Sequence, residues 1–251
     1  MSNEESKNNN IKKILAYFLI GILIIISAIF DNNHNSNDTD FATSNSIINT
    51  ITYTLDNVPE YSGSPYIEIN GGIPNFEDQY LDVDFFENYS KLDNLGRCGV
   101  AFAKLGKETM PTDEDTRKSI DHIIPTAWHD DKLEMLKYRN LYNRCHLIAY
   151  SLSNENDNEK NLITGTRYFN TSGMTGFENE VKRYIESNPD NHVLYRVTPI
   201  FEGNNLLASG VQIEAKSVED NGKDICFNVY VYNVQPGVEI DYSTGDFIEK
   251  E

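Results

Sequence analysis

The sequence predicts an α+β domain in which a central antiparallel β-sheet is flanked by helices. Three observations carry that prediction. Short strand-like runs fill the chain up to Leu105, a single helix-period segment follows Gly176, and three runs rich in β-branched and aromatic residues close the chain between tight turns. Strands, then a helical middle, then strands joined by short turns favour antiparallel pairing over a βαβ alternation.

Taken in order, residues 2–10 are polar and Asn-rich, Lys12 and Lys13 follow, and Ile14 to Phe30 carry no charge. Such a stretch is at the short end of what spans a bilayer, about 17–25 residues. No small-x-small cleavage site follows it, since the exit reads Ala28-Ile29-Phe30-Asp31. An uncleaved signal-anchor is therefore favoured over a removed signal peptide. Lysines before the span place residues 1–13 in the cytoplasm and the bulk of the chain outside the cell membrane. Residues 31–50, rich in Asn, Asp, Ser and Thr, read as a flexible tether to a domain covering 51–251.

Within that domain, Ile51 to Leu55 and Tyr66 to Ile69 are short strand candidates, and Gly71-Gly72-Ile73-Pro74 is a turn. Gly99 to Leu105 reads as a strand, Asp130 to Arg139 is charged and fits neither period, and Leu141 to Ala149 opens as a strand. Phe177, Val181, Tyr184 and Ile185 share one helical face that ends at Pro189. Strands are predicted over His192 to Pro199, Leu206 to Ala215 and Ile225 to Val234, with a turn at Pro236-Gly237.

The formal net charge of −18 excludes a protein that holds nucleic acid through a basic surface alone. Its distribution leaves another route open. Between Arg97 and Arg183 there are 13 Lys plus Arg against 13 Asp plus Glu, so that stretch is neutral, and it contains His122, His129 and His146. The three cysteines, Cys98, Cys145 and Cys226, are too few and odd in number for a disulfide framework, although one bridge with one free thiol fits an extracellular chain.

The chemistry concentrates in Asn143-Arg144-Cys145-His146, in NLITGTRYFN (161–170), and in Glu178. His146 is the side chain here that takes up a proton near neutral pH. Arg144 lies two residues away, on the same face of an extended segment, where its guanidinium fork suits a phosphate. Asn170 offers a neutral amide oxygen, a hard ligand suited to Mg²⁺, and Glu178 suits one of that ion's waters. Plainer readings stand beside these. Asn170 fits a turn, and Thr175 to Glu178 fits a capping box at a helix start. Cys145 beside His146 makes a poor thiol dyad, because strand neighbours point to opposite faces. Arg117 and Lys118, upstream of Trp128, suit either substrate-backbone contacts or a solvated face.

Asn143-Arg144-Cys145-His146 resembles the Asp-Arg-Gly-His motif of the DNA/RNA non-specific endonucleases, the ββα-metal or His-Me finger nucleases, and in particular a Gram-positive membrane-anchored or secreted branch. An Asn 24 residues after the His (Asn170) and a Glu eight further on (Glu178) fit the same pattern. The likeness runs from about Leu92 to Asp246 through the segments 161–170, 192–211 and 227–246. It implies a ββα-metal finger site that hydrolyses DNA, and RNA as well, with little sequence preference and leaves 5′-phosphate ends. It further implies His146 as general base, Asn170 as the protein ligand of one Mg²⁺ or Mn²⁺, Glu178 acting through water, and substrate contacts at Arg144, Arg167 and Asn161. Two departures stand out. Asn143 replaces the motif's Asp, and Cys145 replaces its Gly, which would be costly if that Gly held a positive φ. They motivate the alternative of a catalytically weak or inactive, membrane-anchored nucleic-acid binder of the same fold. No protein partner is inferable from the sequence.

Overall fold

The structure, a computed structural model, describes residues 52–250. The expected anchor at 14–30 and tether at 31–50 lie outside them. Among the described residues no helix is long and apolar enough to cross a membrane.

Twelve strands occur among the described residues, and the first six run β1 (Tyr66–Glu68), β2 (Phe86–Tyr89), β3 (Ala101–Leu105), β4 (Lys132–Leu133), β5 (Arg139–Asn140) and β6 (Tyr142–His146). They continue as β7 (Leu162–Thr166), β8 (Val193–Ile200), β9 (Gly210–Ser217), β10 (Cys226–Tyr232), β11 (Val238–Ile240) and β12 (Phe247–Glu249). Two helices, α1 (Tyr150–Ser153) and α2 (Thr175–Ser187), complete the regular structure together with short 3₁₀ turns and one π-helical stretch.

Six strands form one antiparallel sheet in the order β1-β10-β9-β8-β3-β2. Its long central strands, β8 to β10, are the three late runs expected from sequence. They are buried almost throughout, and their Val, Ile, Tyr and Phe side chains suit a pleated surface covered by another layer. That layer is the β6–β7 hairpin and α2. Val181 and Ile185 of α2 share one core with Cys145 and Ile163 of the hairpin and with Val197, Ile213 and Val229 of the sheet.

Several sequence expectations are corrected. Residues 52–54 are not a strand, and the chain enters a 3₁₀ turn at Leu55–Asn57. Asp130 to Arg139, which fits neither period, contributes a tiny hairpin, β4 with β5, whose tip places Lys137 and Tyr138 in the left-handed region. Thr175 does not cap α2. The helical path already begins with a π-helical stretch at Phe169–Met174, so Thr175 lies inside a continuous helix and its hydroxyl donates to the Asn170 carbonyl at 2.7 Å. All three cysteines are free, Cys98 and Cys145 being buried and Cys226 exposed.

Candidate active site

Strands β6 and β7 pair antiparallel, with Arg144 opposite Thr164 and His146 opposite Leu162. The hairpin then feeds directly into the π-helical stretch and α2. Its two faces have different neighbours. Cys145 and Ile163 point into the core, while Arg144 and Thr164 face the segment 121–128, to which Thr164 donates a hydrogen bond at the Thr126 carbonyl, 2.8 Å away.

His146 ends β6 and is buried. Its Nε2 lies 3.0 Å from the Asn156 carbonyl oxygen. A carbonyl can only accept, so Nε2 carries the proton and Nδ1 is left with a free lone pair. Burial is the main force lowering the His146 pKa. Arg117 pushes it the same way, while the Asn156 carbonyl opposes both. The ring is therefore held neutral at physiological pH, in the tautomer a base at Nδ1 requires. Asn156 is fixed in turn: its amide donates to the Lys118 carbonyl at 2.9 Å, and its Oδ1 accepts from Arg117 Nε at 3.3 Å. This chain of contacts brings Arg117 and Lys118 to the histidine.

Asn161 is fully buried. Its Oδ1 accepts from the Ile148 amide at 2.9 Å, its Nδ2 donates to the Ile148 carbonyl at 3.0 Å, and its own carbonyl accepts from the Leu147 amide at 2.8 Å. It locks the chain leaving His146 and is sealed from any substrate, which corrects its placement as a binding residue. Arg144 is also committed. Nε donates to the Ile123 carbonyl at 2.6 Å, Nη2 donates to the Asp121 carbonyl at 2.9 Å, and the guanidinium sits 4.0 Å from the Trp128 ring centroid. The shared face foreseen for Arg144 and His146 is real, but the arginine spends its donors on the segment 121–128. Arg167 reaches back along the hairpin, to the Asn140 carbonyl at 3.4 Å and to Asn143 Oδ1 at 3.5 Å.

Asn170 lies in the π-helical stretch, where its carbonyl accepts both the Thr175 amide and the Thr175 hydroxyl. Its half-buried side chain takes no hydrogen bond among the described residues. The wide turn is permitted by Gly173, where a Cβ would stand 2.4 Å from Val231 Cγ1. Such π-turns recur at functional sites because they re-aim one side chain within a helix. Glu178 follows in the first turn of α2. Its stripe-mates Met174, Val181 and Ile185 are all buried, which turns the carboxylate toward the core. Loss of hydration raises its pKa from 4.5 to about 7. The Cys145 thiol is driven up first by its own burial and then by the Glu178 charge.

Cys145 fits without backbone strain, for it lies within extended β6 and is not among the positive-φ residues. Its side chain occupies the space that Gly165 leaves: a Cβ at Gly165 would stand 2.7 Å from Cys145 Sγ and 2.5 Å from Phe169 Cδ1. A cleft of about 360 Å³ opens beside Leu162 and is lined by His122, Ile124, Pro125, Asp157 and Glu159. Its carboxylates disfavour a phosphate there. Sequence reasoning missed Asn156 and Asn233. The latter is fully buried and ties β7 to the exit of β10 through the Thr166 amide and the Thr164 and Ala208 carbonyls. Neither stands out in a sequence with so many asparagines.

Among the described residues no three His, Cys, Asp or Glu side chains gather as a metal cage. The donor set does suit a hard, largely hydrated divalent cation: one unpartnered amide oxygen on a rigid turn, and one carboxylate a few residues along the same helix.

Two antiparallel strands, the first ending in a histidine, followed by a helix presenting an asparagine and a glutamate, on a large antiparallel sheet, define a ββα-metal nuclease domain. Residues 75–219 match the family described as DNA/RNA non-specific endonuclease, and the chain belongs to that family. NucA from Streptococcus agalactiae with magnesium bound is 26% identical, with a TM-score of 0.62 over 73% of this chain and 86% of that one. The Sda1 nuclease with bound zinc gives 26% identity and a TM-score of 0.62 over 74% of this chain and 97% of that one. A deoxyribonuclease from Streptococcus dysgalactiae subsp. equisimilis is 34% identical over 112 residues, which are 43% of this chain but only 33% of that relative.

Proposed function

We propose that this chain is a metal-dependent endonuclease that hydrolyses phosphodiester bonds of DNA, and of RNA, with little sequence preference. The observation that carries the reading is His146, buried, neutral, and oriented by the Asn156 carbonyl so that Nδ1 is its free base. Membership of the family and the likeness to NucA and Sda1 support the same reading.

In this mechanism His146 Nδ1 accepts a proton from a water as the water oxygen attacks phosphorus, and the bond to the 3′-oxygen breaks to leave a 5′-phosphate. Asn170 would hold a divalent cation, magnesium or manganese, and Glu178 would hold one of its waters. When bound, such an ion supplies charge neutralisation at the phosphate and the leaving oxygen. Arg117, exposed and close enough to lower the His146 pKa, is the side chain that contacts the scissile phosphate; Arg144 instead shapes the segment beside it. Binding of this kind reads the sugar–phosphate backbone rather than base edges, which accounts for weak sequence preference. We place the domain outside the cell on the span at 14–30, a reading supported by Lys12 and Lys13 before that span.

The test is cleavage of supercoiled plasmid by the full chain in Mg²⁺, against EDTA and against His146→Ala. Nicking that vanishes in both controls is expected. Retention of DNA in EDTA with no cleavage in Mg²⁺ or Mn²⁺ would replace this reading with that of a non-catalytic binder.

A further inference from the structure

The carbonyl that orients His146 belongs to a stretch of chain with little regular structure to hold it. Residues 154–158 join α1 to the 3₁₀ turn at Glu159–Asn161, and neither Asn156 nor Asp157 makes a backbone–backbone hydrogen bond among the described residues. Both are held through their side chains, by one neighbouring segment, 117–122. On one side the Asn156 amide donates to the Lys118 carbonyl at 2.9 Å, and its Oδ1 accepts from Arg117 Nε at 3.3 Å. On the other side Asp157 Oδ1 lies 2.9 Å from Nε2 of His122, a histidine that the proposed mechanism does not use. The Asn156 carbonyl and the Asp157 amide form one planar peptide unit. Clips on the two residues that flank this unit fix its plane, and with it the direction in which the carbonyl oxygen meets His146 Nε2 at 3.0 Å. Without the His122 clip, the plane is free to turn about ψ of Asn156 and φ of Asp157. His122 and Asp157 are both exposed, so their pair adds little to stability. Its consequence lies in where it is placed.

We propose that His122 is a positioning residue for His146: by holding Asp157 it aims the Asn156 carbonyl at Nε2, keeps the ring proton there and leaves Nδ1 free as the base. The inference rests on the reading of His146 as the general base. Nε2–H of His122 donates to the carboxylate in the neutral and in the protonated ring alike, so the clip does not depend on the charge of that ring. One irregular segment thus sets the tautomer of a residue that belongs to a strand, through a contact that lies one residue beyond the carbonyl it directs.

The experiment compares the wild-type full chain in mild detergent with His122→Ala, His122→Gln, Asp157→Ala and the double alanine variant. Nitrogen-15 NMR spectra, assigned with His146→Ala, report the His146 tautomer without substrate or metal. Initial rates of plasmid nicking in Mg²⁺ give kcat and KM, and heat unfolding reports stability. The wild type is expected to carry its His146 proton on Nε2. His122→Ala should populate the tautomer protonated at Nδ1 and lower kcat roughly tenfold to a hundredfold, with KM little changed. Its melting temperature should barely move, because an exposed pair has gone. His122→Gln, whose amide donates from nearly the same place, should restore most of both readouts. Asp157→Ala should match His122→Ala, and the double variant should be no worse than either, since the two act as one clip. An unchanged His146 tautomer in His122→Ala, or losses that add in the double variant, would overturn the proposal while leaving the nuclease reading intact. A wild type that cuts no DNA would overturn the nuclease reading, and the tautomer comparison would still decide whether His122 aims the carbonyl.

Discussion

Replacing Glu178 by Gln should stabilise the metal-free protein, and only at neutral to alkaline pH. The folded-state pKa of Glu178 is raised from 4.5 to about 7 by loss of hydration. The folded protein therefore holds this proton more tightly than the unfolded chain does. The associated stability is fully present below the unfolded value and is lost as pH rises through the folded one. At about 1.4 kcal/mol per pH unit, ionising the group in the fold costs about 3 kcal/mol once the pH is well above 7. This is a ceiling, because the residue keeps some contact with solvent. Gln removes the ionisation and keeps the shape. The assay is urea unfolding of the full chain in EDTA and mild detergent, wild type beside Glu178→Gln, from pH 5 to 8.5. The quantity read is the difference between the two proteins, in which His146 cancels. That residue works in the opposite sense: its lowered pKa gives stability present above its unfolded value and lost as pH falls. The Gln variant should gain on the wild type by up to about 3 kcal/mol across this window, and saturating Mn²⁺ should return the advantage to the wild type. A difference flat with pH would mean that the carboxylate is already solvated or paired in the fold, and the desolvation argument would fail.

Other substitutions separate site from scaffold. Arg117→Ala removes a positive charge beside His146, so the acid limb of the pH–rate profile should move to higher pH, and kcat/KM on plasmid should fall roughly tenfold to a hundredfold; an unmoved limb would place Arg117 outside the site. Arg144→Ala should leave that limb in place but lower stability to urea by about 2–4 kcal/mol, through two lost carbonyl contacts and the stacking on Trp128. Gly165→Ala should cost about 1–3 kcal/mol by overpacking against Cys145 and Phe169, and Cys145→Gly should recover part of it in a double-mutant cycle. Asn143→Asp should raise thermal stability by about 1 kcal/mol, because the buried Nδ2 has no partner and Arg167 stands 3.5 Å from Oδ1; a lower melting temperature would show that the amide is better suited there than a carboxylate.

The sequence by itself determined the sheet and the family. Strands β8 to β10 are legible because a layer that is covered on its inner face must be rich in Val, Ile and Tyr, and α2 is legible because Phe177, Val181, Tyr184 and Ile185 recur at the helical period. His146, Asn170 and Glu178 are proposed as site residues from their likeness to the family's motif. What each polar side chain does was not legible, because a hydrogen bond between residues far apart leaves no periodic trace. Arg144 and Asn161 look like ligands in the sequence, yet the fold commits one to the segment 121–128 and buries the other against Ile148. Helix α2 starts where the sequence suggests, but Thr175, Gly176 and Glu178 only imitate a cap, because the helical path is continuous with the π-turn before them, where Gly173 approaches Val231. The tautomer of His146 and the role of Asn156 were decided only when the hairpin, the helix and the sheet closed on one another. Each depends on burial, and burial belongs to the packed layers rather than to any stretch of chain.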